Sequence, residues 1–324
     1  MNILWLCFEN TSNVPNTISR AINRYTKHKC SLVIEAGNYI KYDTKGAYYL
    51  SNLTSKEFIN MVRESDVIHF NELMSETTYP FRTKFKDGKQ LDVNHLFDSS
   101  QKVLIHNNGT IFRRNSVMLN AYAKAHNVCM TISTPDLFAY GDNLTWLPAP
   151  IDLTNSLYKF NPAKFDNNCL ISHSPTRRDV KGTDLFMKVC SNYFPDTIKP
   201  VLIEHSTHSD CMRNRKVCHA HYDQWSIGTY GVSALEGLAI GQIVMVGISD
   251  SVSKYLGTHK FINVCGNEES FSTSMLTLLS LLSDDVSRRN HILDGRKWLE
   301  RSHSDKVVVK NLIELYESLG HWVM

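Results

Sequence analysis

The segment Tyr222–Val246 combines a glycine-bracketed turn with a short apolar helix and a buried strand. Gly228 and Gly231 bound the turn, which leads into the small and apolar residues of Val232–Ile240. The first turn of a helix presents backbone N–H groups without intrahelical partners, at the positive end of the helix dipole. This segment therefore has the local features of a phosphate-binding site. Glu236 is a carboxylate inside the otherwise apolar helix, and on spacing alone a surface position is its simpler interpretation.

The composition is that of a globular protein with more than one domain. The chain has 324 residues, of which 42% are hydrophobic and 21% charged, and its formal net charge is +3. That length suits two domains of roughly 150 residues. The small net charge implies binding to a polyanion only where basic residues cluster.

The sequence has no signal for a membrane or a secretory route. No apolar run approaches the roughly 20 residues that a membrane-spanning helix needs. The N-terminal MNILWLCFEN lacks the basic flank of a signal peptide. The eight cysteines have no framework spacing, which indicates reduced thiols. We therefore expect a cytoplasmic protein.

Short apolar runs alternate with helical patterns along the chain. In the first half these runs are Ile3–Phe8, Leu32–Ile34, Val67–Phe70, Val103–His106 and Val128–Ser133. The pattern stops at a Pro-Ala-Pro break at 148–150 and restarts at Cys169. Alternation of buried strands and helices about every 30 residues predicts doubly wound parallel sheets. The alternating residues of Tyr39–Leu50 predict a small hairpin as well.

The predicted fold class is α/β, with two Rossmann-like domains that face each other across a cleft. The first domain is expected to span residues 1–150 and the second residues 151–304, with a hinge near Pro148–Asp152. The last helix, at about 305–324, is expected to pack back on the first domain. Ligands of such sheets bind at the carboxyl ends of the strands, so the cleft is the expected binding site.

Several other kinds of site are disfavoured by the motifs that the sequence lacks. There is no GxGxxG after the first strand, no Walker A motif and no GxSxG motif. The His and Cys residues between His205 and His221 fit no standard zinc spacing, so we expect no metal site.

Four segments of the chain form a recognisable set. In chain order they are WLPAPID at 146–152, HSPTRRDVKGTD at 173–184, DQ followed by GTYGVSALEGLAIGQIVMV within 223–246, and RKWLE with SHS at 296–304. Together they resemble the retaining glycosyltransferases of family 4, which have the GT-B fold. The first half of the chain is less similar to the family, through DVIHFN and IHNNGTIFRRN. The resemblance implies transfer of a hexosyl or pentosyl group from a nucleotide-diphosphate sugar, such as a UDP- or GDP-sugar, without a cofactor.

The resemblance also implies roles for individual residues. Arg178 and Lys181 would face the donor diphosphate and stabilise the charge that develops on the leaving group, with Arg177 as an adjacent candidate. Glu236 would accept hydrogen bonds from the ribose hydroxyls. His106, at a strand end in the first domain, would lie beneath the donor sugar.

The chain departs from the family at Gly228, where many members carry a glutamate that contacts the donor sugar. The backbone of Thr229, Tyr230 and Gly231 would then approach the phosphate and the sugar. The missing carboxylate leaves a second interpretation open. In that interpretation the protein is a degenerate GT-B subunit that binds nucleotide sugars without catalysis.

The acceptor is expected to bind the first domain, and the ordinary acceptors of the family are glycans and small molecules. The segment Tyr79–Lys89 places cations among three aromatic residues, a composition that suits a nucleic-acid backbone and its bases. The cations are Arg82, Lys84, Lys86 and Lys89, and Arg113 would extend them. An alternative acceptor is therefore DNA with a hydroxymethylated base, as in phage DNA glycosyltransferases, which would have to expose that base. A solvated basic loop is the simpler interpretation.

Overall fold

The structure, a computed structural model, describes residues 1–10, 12–37, 40–72, 84–91, 100–165 and 168–321. The chain divides into two compact units, one of Met1–Pro150 with Asp305–Met324 and one of Ile151–Ser304. Each unit is built on a parallel sheet that helices flank. The predicted α/β class with two doubly wound sheets is confirmed.

Within the described part of the first unit the sheet has seven strands. They are β1 (Asn2–Glu9), β2 (Lys29–Ala36), β3 (Tyr48–Tyr49), β4 (Val67–Asn71), β5 (Lys102–Asn107), β6 (Cys129–Ile132) and β7 (Leu144–Trp146), with helices α1 (Val14–Tyr25), α2 (Ser55–Arg63) and α3 (Thr110–Ala125) between them. The strand order is β3-β2-β1-β4-β5-β6-β7, and all neighbours are parallel. The chain therefore builds outward from β1 on one side and restarts at β4 on the other. The topological switch point lies between β1 and β4.

Strand β1 shows why this sheet forms. Residues 3–7 of the strand are all buried, because helices cover both faces of a doubly wound sheet and favour continuous apolar strands. Helix α1 follows with Pro15 in its first turn and with Ile18 and Ile22 buried. One predicted element is wrong. Tyr48–Tyr49 pairs parallel with β2, with Tyr48 beside Val33, and does not form a hairpin.

The second unit has a five-stranded parallel sheet in its described residues, in the order β12-β11-β10-β8-β9. Its elements are β8 (Cys169–His173), α4 (Arg178–Lys181), α5 (Thr183–Tyr193), β9 (Ile198–Leu202), α6 (His208–Arg215), β10 (Ala220–Tyr222), α7 (Val232–Ile240), β11 (Ile243–Val246), α8 (Asp250–Leu256), β12 (Phe261–Asn263), α9 (Glu268–Ser283) and α10 (Asp285–His303). The stretch that links β10 to α7 is the glycine turn singled out in the sequence. It therefore lies at the carboxyl edge of a central strand, where ligands of such sheets bind.

The final helix, α11 (Asp305–Ser318), belongs to the first unit. The Tyr316 hydroxyl lies 2.5 Å from His69 Nδ1 of β4, and Lys102 Nζ donates to the Tyr316 carbonyl oxygen at 2.8 Å. These contacts attach the end of the chain to the centre of the first sheet. Among the described helices, none has the length and apolarity required to span a membrane.

Candidate functional site

A buried carboxylate, Asp223, connects two of the predicted segments at the carboxyl edge of the second sheet. Lys181, the last residue of α4, donates from Nζ to Asp223 Oδ1 at 2.6 Å. The Gly231 backbone N–H donates to Asp223 Oδ2 at 2.6 Å, and the Ser233 hydroxyl donates to Oδ1 at 2.7 Å. Asp223 thus holds the predicted lysine next to the N-terminus of α7. We call Lys181, Asp223 and Gly231 the lysine clamp.

The electrostatics of the clamp favour an ion pair. Burial by itself raises the pKa of the Asp223 carboxyl, but Lys181 and the hydrogen bonds from Ser233 and Gly231 together hold that pKa below its ordinary value. The Asp223 side chain is 0% exposed and the Lys181 side chain is 16% exposed. A lysine ammonium has three N–H donors, of which Asp223 accepts one. The clamp therefore fixes a positive charge at the sheet edge and leaves it donors for a ligand.

The backbone around Lys181 is held by the same loop that carries Asp223. The Tyr222 hydroxyl donates to the Lys181 carbonyl oxygen at 2.8 Å. Gly182 follows with φ of 67°, and a Cβ there would lie 2.2 Å from Nε1 of Trp225. Gly182 is required both for the left-handed turn between α4 and α5 and for the space that Trp225 fills. In the predicted Lys-Gly pair, Gly182 is therefore needed for local packing, and Lys181 supplies the charge.

The two arginines before Lys181 have carboxylate partners of their own. Arg178 forms two hydrogen bonds with Glu204, from Nε at 2.8 Å and from Nη2 at 2.5 Å. Arg177 pairs with Asp179 at 2.5 Å. Both guanidinium groups are more than half exposed. The structure thus pairs Lys181 with Asp223, and it pairs the two arginines with other carboxylates. The contact of Arg177, Arg178 and Lys181 with a diphosphate stays a prediction.

Glu236 is the centre of a second buried network, on α7. Its Oε1 lies 2.6 Å from His208 Nε2 and accepts from the Tyr158 hydroxyl at 3.0 Å. Its Oε2 accepts from Arg215 Nη1 at 3.1 Å. Burial raises the pKa of Glu236, but His208, Arg215 and Tyr158 offset it and hold the pKa below its ordinary value. Three of about four acceptor positions of the carboxylate are therefore occupied by protein donors. The ribose contact stays a prediction.

The turn before α7 has a backbone that favours glycine at position 228. Gly228 has φ of 74°, and a Cβ there would lie 3.1 Å from Ser249 Cβ. The Gly228 carbonyl oxygen accepts from Ser249 N–H at 2.9 Å, which holds the two segments together. Thr229 and Tyr230 are buried, and the Tyr230 ring stacks on Phe261. At these two positions only the backbone is available for the predicted approach to the donor.

His106 lies in the interior of the first unit. The imidazole is fully buried, with Nδ1 at 2.9 Å from Thr131 Oγ1 and its ring edge-on to Trp5. Burial lowers the pKa of His106 to about 4, so the ring is neutral at pH 7. The Asn108 side chain interacts with the imidazole and partly opposes this lowering of the pKa. The contact of His106 with a donor sugar stays a prediction.

The predicted basic loop is described only from Lys84 onward; Arg82 lies outside the described residues. Lys84, Lys86 and Lys89 are exposed. Phe85 is buried and packs against Phe58 of α2, so it is not available to stack on bases as the sequence suggested.

The predicted extension of this loop at Arg113 is occupied by another contact. Arg113 Nη2 donates to Asp136 Oδ2 at 2.5 Å, and Nη1 of the same side chain lies beside Gly109. Arg113 therefore supports the start of α3, and its contact with an acceptor stays a prediction.

Three of the histidines in the segment 205–221 have structural partners. His208 faces Glu236, His219 Nε2 lies 2.8 Å from the Lys164 carbonyl oxygen, and His221 Nδ1 lies 3.1 Å from Ser172 Oγ. In the part of the chain that the structure describes, no group of three or more His, Cys, Asp or Glu side chains is placed to hold a metal ion.

Comparison with known structures defines the class of fold. No protein-family model and no curated protein sequence matches the chain. Solved structures do match over nearly its whole length, and they are glycosyltransferases of the GT-B fold. The chain therefore has the GT-B fold.

Three of these structures illustrate the likeness. An α-glucosyltransferase in complex with UDP-glucose and DNA containing an abasic site aligns with a TM-score of 0.71 at 11% identity, over 98% of this chain and 99% of that one. HepE from Anabaena, in complex with UDP and glucose, aligns at 0.68 and 11% identity, over 98% and 100%. Sucrose-phosphate synthase from Thermosynechococcus elongatus aligns at 0.65 and 9% identity, over 98% of each chain.

Sequence reasoning missed Asp223 and Trp225 as parts of this site. Asp223 belongs to the Asp-Gln pair of the family-like segment, but the motif alone assigns it no role. Asp223 directly follows β10, and polar residues at the carboxyl ends of parallel strands converge on the ligand side. Trp225 carries no such signal, since its packing depends on glycines that are distant in sequence.

The turn at Gly228 leads to a test of its backbone. We expect Gly228→Ala to destabilise the protein, because an L-residue in the left-handed region costs about 1–2 kcal/mol and the new Cβ also meets Ser249. Gly88→Ala is the matched control, since Gly88 has φ of 78° and open space around its Cβ position. In urea denaturation Gly228→Ala should lose more unfolding free energy than Gly88→Ala. Equal losses would show that the contact with Ser249 contributes nothing.

Proposed function

We propose that the protein is a glycosyltransferase that moves a sugar from a nucleotide-diphosphate sugar to a hydroxyl group of an acceptor. The observation that carries this proposal is the lysine clamp. It places a fixed ammonium group beside the N-terminus of a nine-residue helix, at the carboxyl edge of a parallel sheet. A fixed cation together with a helix N-terminus suits a diphosphate group. The GT-B fold supports the same assignment.

The proposed mechanism uses the clamp to stabilise the leaving group. When the bond between the anomeric carbon and the donor phosphate breaks, negative charge develops on the nucleoside diphosphate. Lys181 already lies in place through Asp223, so little reorganisation is needed to stabilise that charge. Asp223 accepts the Gly231 N–H, so the proposed phosphate contact uses the backbone N–H groups of Val232 and Ser233, which have no intrahelical partner at the start of a helix.

The finer features of the reaction follow from the family resemblance and from the neighbouring structures. The resemblance to family 4 supports transfer with retention, in which the donor phosphate takes the proton of the acceptor hydroxyl. UDP bound in several of the similar structures supports a UDP-sugar as the donor. We assign the donor to the unit Ile151–Ser304, which carries the clamp, and the acceptor to the unit that begins at Met1.

Replacement of Lys181 tests the clamp. We expect Lys181→Gln to lower kcat by roughly 100-fold to 1000-fold, the usual effect of removing one electrostatic contact to a developing charge. Glutamine keeps an N–H donor for Asp223, so the fold should remain intact by circular dichroism. Lys188→Gln, on the next helix, is the matched control and should keep wild-type turnover. The measurement is release of UDP from UDP-glucose in the presence of an acceptor panel.

Two results would contradict the proposal in different ways. Unchanged turnover of Lys181→Gln would remove Lys181 from the mechanism. UDP-glucose binding by the wild type, without transfer or hydrolysis across the whole panel, would instead favour the degenerate binding subunit that the glycine at position 228 suggested.

A second candidate acceptor, DNA with a hydroxymethylated base, is favoured by the basic loop. Phe85 anchors this loop in the core while Lys84, Lys86 and Lys89 remain exposed. Asp87 within the loop accepts from the Ser55 hydroxyl at 2.6 Å, so its charge is directed toward α2. One of the similar structures is bound to DNA.

Binding of DNA can be tested through its dependence on salt. We expect simultaneous replacement of Lys84, Lys86 and Lys89 by alanine to weaken binding of a DNA duplex, because contacts with phosphates are lost. Each lost contact should also reduce the magnitude of the slope of log K against log salt by about 0.9. Fluorescence anisotropy at several salt concentrations measures both quantities. Alanine at Lys124, Lys306 and Lys310, which are also exposed in the first unit, is the matched control. An unchanged slope in the first variant would exclude this loop from a DNA site.

A further inference from the structure

The carboxyl edge of the first sheet carries a second polar cluster, at the switch point between β1 and β4. Asn10 follows β1, Glu72 follows β4, and Asn108 follows β5 by one residue. Cys7 of β1 pairs with Asn71 of β4, and Asn71 pairs with His106 of β5, so the three strand ends lie side by side. Open α/β sheets bind their ligands outside the carboxyl ends of the strands at such a switch point. We call Asn10, Glu72 and Asn108 the acceptor edge.

Glu72 is held in a backbone conformation that its side chain does not favour. Its φ is 61°, in the left-handed region, and its N–H donates to the His106 carbonyl oxygen at 2.8 Å. Such a conformation is unfavourable for a residue with a Cβ, and glycine or asparagine would adopt it at lower cost. Backbone strain of this kind concentrates at ligand sites, where the side chain is needed at that position.

In both asparagines of the acceptor edge, the side-chain nitrogen donates a hydrogen bond to another asparagine. The Asn10 Nδ2 donates to Asn13 Oδ1 at 3.2 Å, and the Asn108 Nδ2 donates to Asn71 Oδ1 at 3.0 Å. Both amide groups are thereby fixed by their nitrogen atoms. Within the described residues, Asn10 Oδ1 is buried and accepts no hydrogen bond, and Asn10 is only 4% exposed. The Asn108 side chain also interacts with the His106 imidazole. A buried acceptor without a partner is rare in folded proteins, so Asn10 Oδ1 requires a donor from a ligand or water.

The Glu72 carboxyl lies in surroundings that disfavour its negative charge. Burial raises the pKa of Glu72 to about 7, although the backbone N–H of Asn108 partly offsets this. Glu72 also adds to the effect of burial in raising the pKa of the Cys7 thiol. Near neutral pH the Glu72 carboxyl is therefore about half protonated, so it can accept or donate a hydrogen bond.

The chemistry of the acceptor edge selects its ligand. The edge presents the Glu72 carboxyl and the amide oxygens of Asn10 and Asn108. Hydroxyl groups both donate and accept hydrogen bonds, so a ligand that carries several of them suits these side chains. We propose that Glu72, together with Asn10 and Asn108, binds the hydroxyl-bearing group of the glycosyl acceptor. This inference rests on the proposed glycosyltransferase function and names the acceptor-binding residues for it.

The test compares acceptor and donor kinetics in a Glu72→Gln variant, with UDP-glucose as donor. The acceptors are methyl glucoside and a DNA duplex that contains 5-hydroxymethylcytosine, which distinguish a saccharide hydroxyl from a hydroxymethylated base. We expect the KM for whichever acceptor the wild type uses to rise at least tenfold, while the KM for UDP-glucose stays within twofold. Glu64→Gln, an exposed carboxylate at the opposite edge of the same sheet, is the matched control and should change neither value.

A second variant separates binding from folding. Glu72→Gly relieves the left-handed strain, so its melting temperature should equal or exceed that of the wild type while acceptor use falls as in Glu72→Gln. An unchanged acceptor KM in Glu72→Gln, or an equal rise in the KM for both substrates, would overturn the assignment of Glu72 and leave the proposed function standing. Transfer to neither acceptor by the wild type would overturn the assignment too. Absence of both UDP-glucose binding and turnover in the wild type would overturn the proposed function itself.

Discussion

The second unit depends on one buried carboxylate, Asp223, and on the charge that balances it. A buried carboxylate costs several kcal/mol of desolvation free energy unless a cation and hydrogen-bond donors compensate it. Lys181 and the Gly231 N–H supply that compensation from two segments that are about fifty residues apart in sequence. The same contacts that stabilise the carboxylate bring a lysine to the N-terminus of α7. The same ion pair therefore contributes to the stability of the unit and fixes the cation of the proposed diphosphate site.

The two sheets carry opposite chemistry at their carboxyl edges. The second sheet presents the ammonium group of Lys181 and the N-terminus of α7, which suit an anion. The first sheet presents the Glu72 carboxyl and the amide oxygens of Asn10 and Asn108, which suit a group that carries hydroxyls. A transferase needs both kinds of site, one for a charged leaving group and one for a hydroxyl nucleophile. This division supports the assignment of donor and acceptor to different units.

Much of the fold could be predicted from sequence, and the reasons differ from element to element. Continuous apolar runs such as β1 and β4 identify buried parallel strands, and the turn at Gly228–Gly231 precedes a helix as expected. The pattern of Tyr39–Leu50 was misleading, because alternation indicates a strand but does not tell whether its partner runs parallel. The sequence assigned no role to Asp223 or Glu72. The environment of Asp223 depends on Lys181, which is distant in sequence, and the position of the Glu72 side chain depends on a left-handed φ that no local pattern predicts. Local patterns predict elements, whereas long-range contacts decide the site.

The most direct test of the lysine clamp is the affinity of an Asp223→Asn variant for UDP and for uridine, measured by isothermal titration calorimetry. Asparagine removes the charge that orients Lys181 but leaves a polar group of the same shape in the buried position. If the clamp builds the diphosphate site, UDP should bind at least tenfold more weakly while uridine binds as before. Unchanged affinity for UDP, or an equal loss for both ligands, would contradict the account.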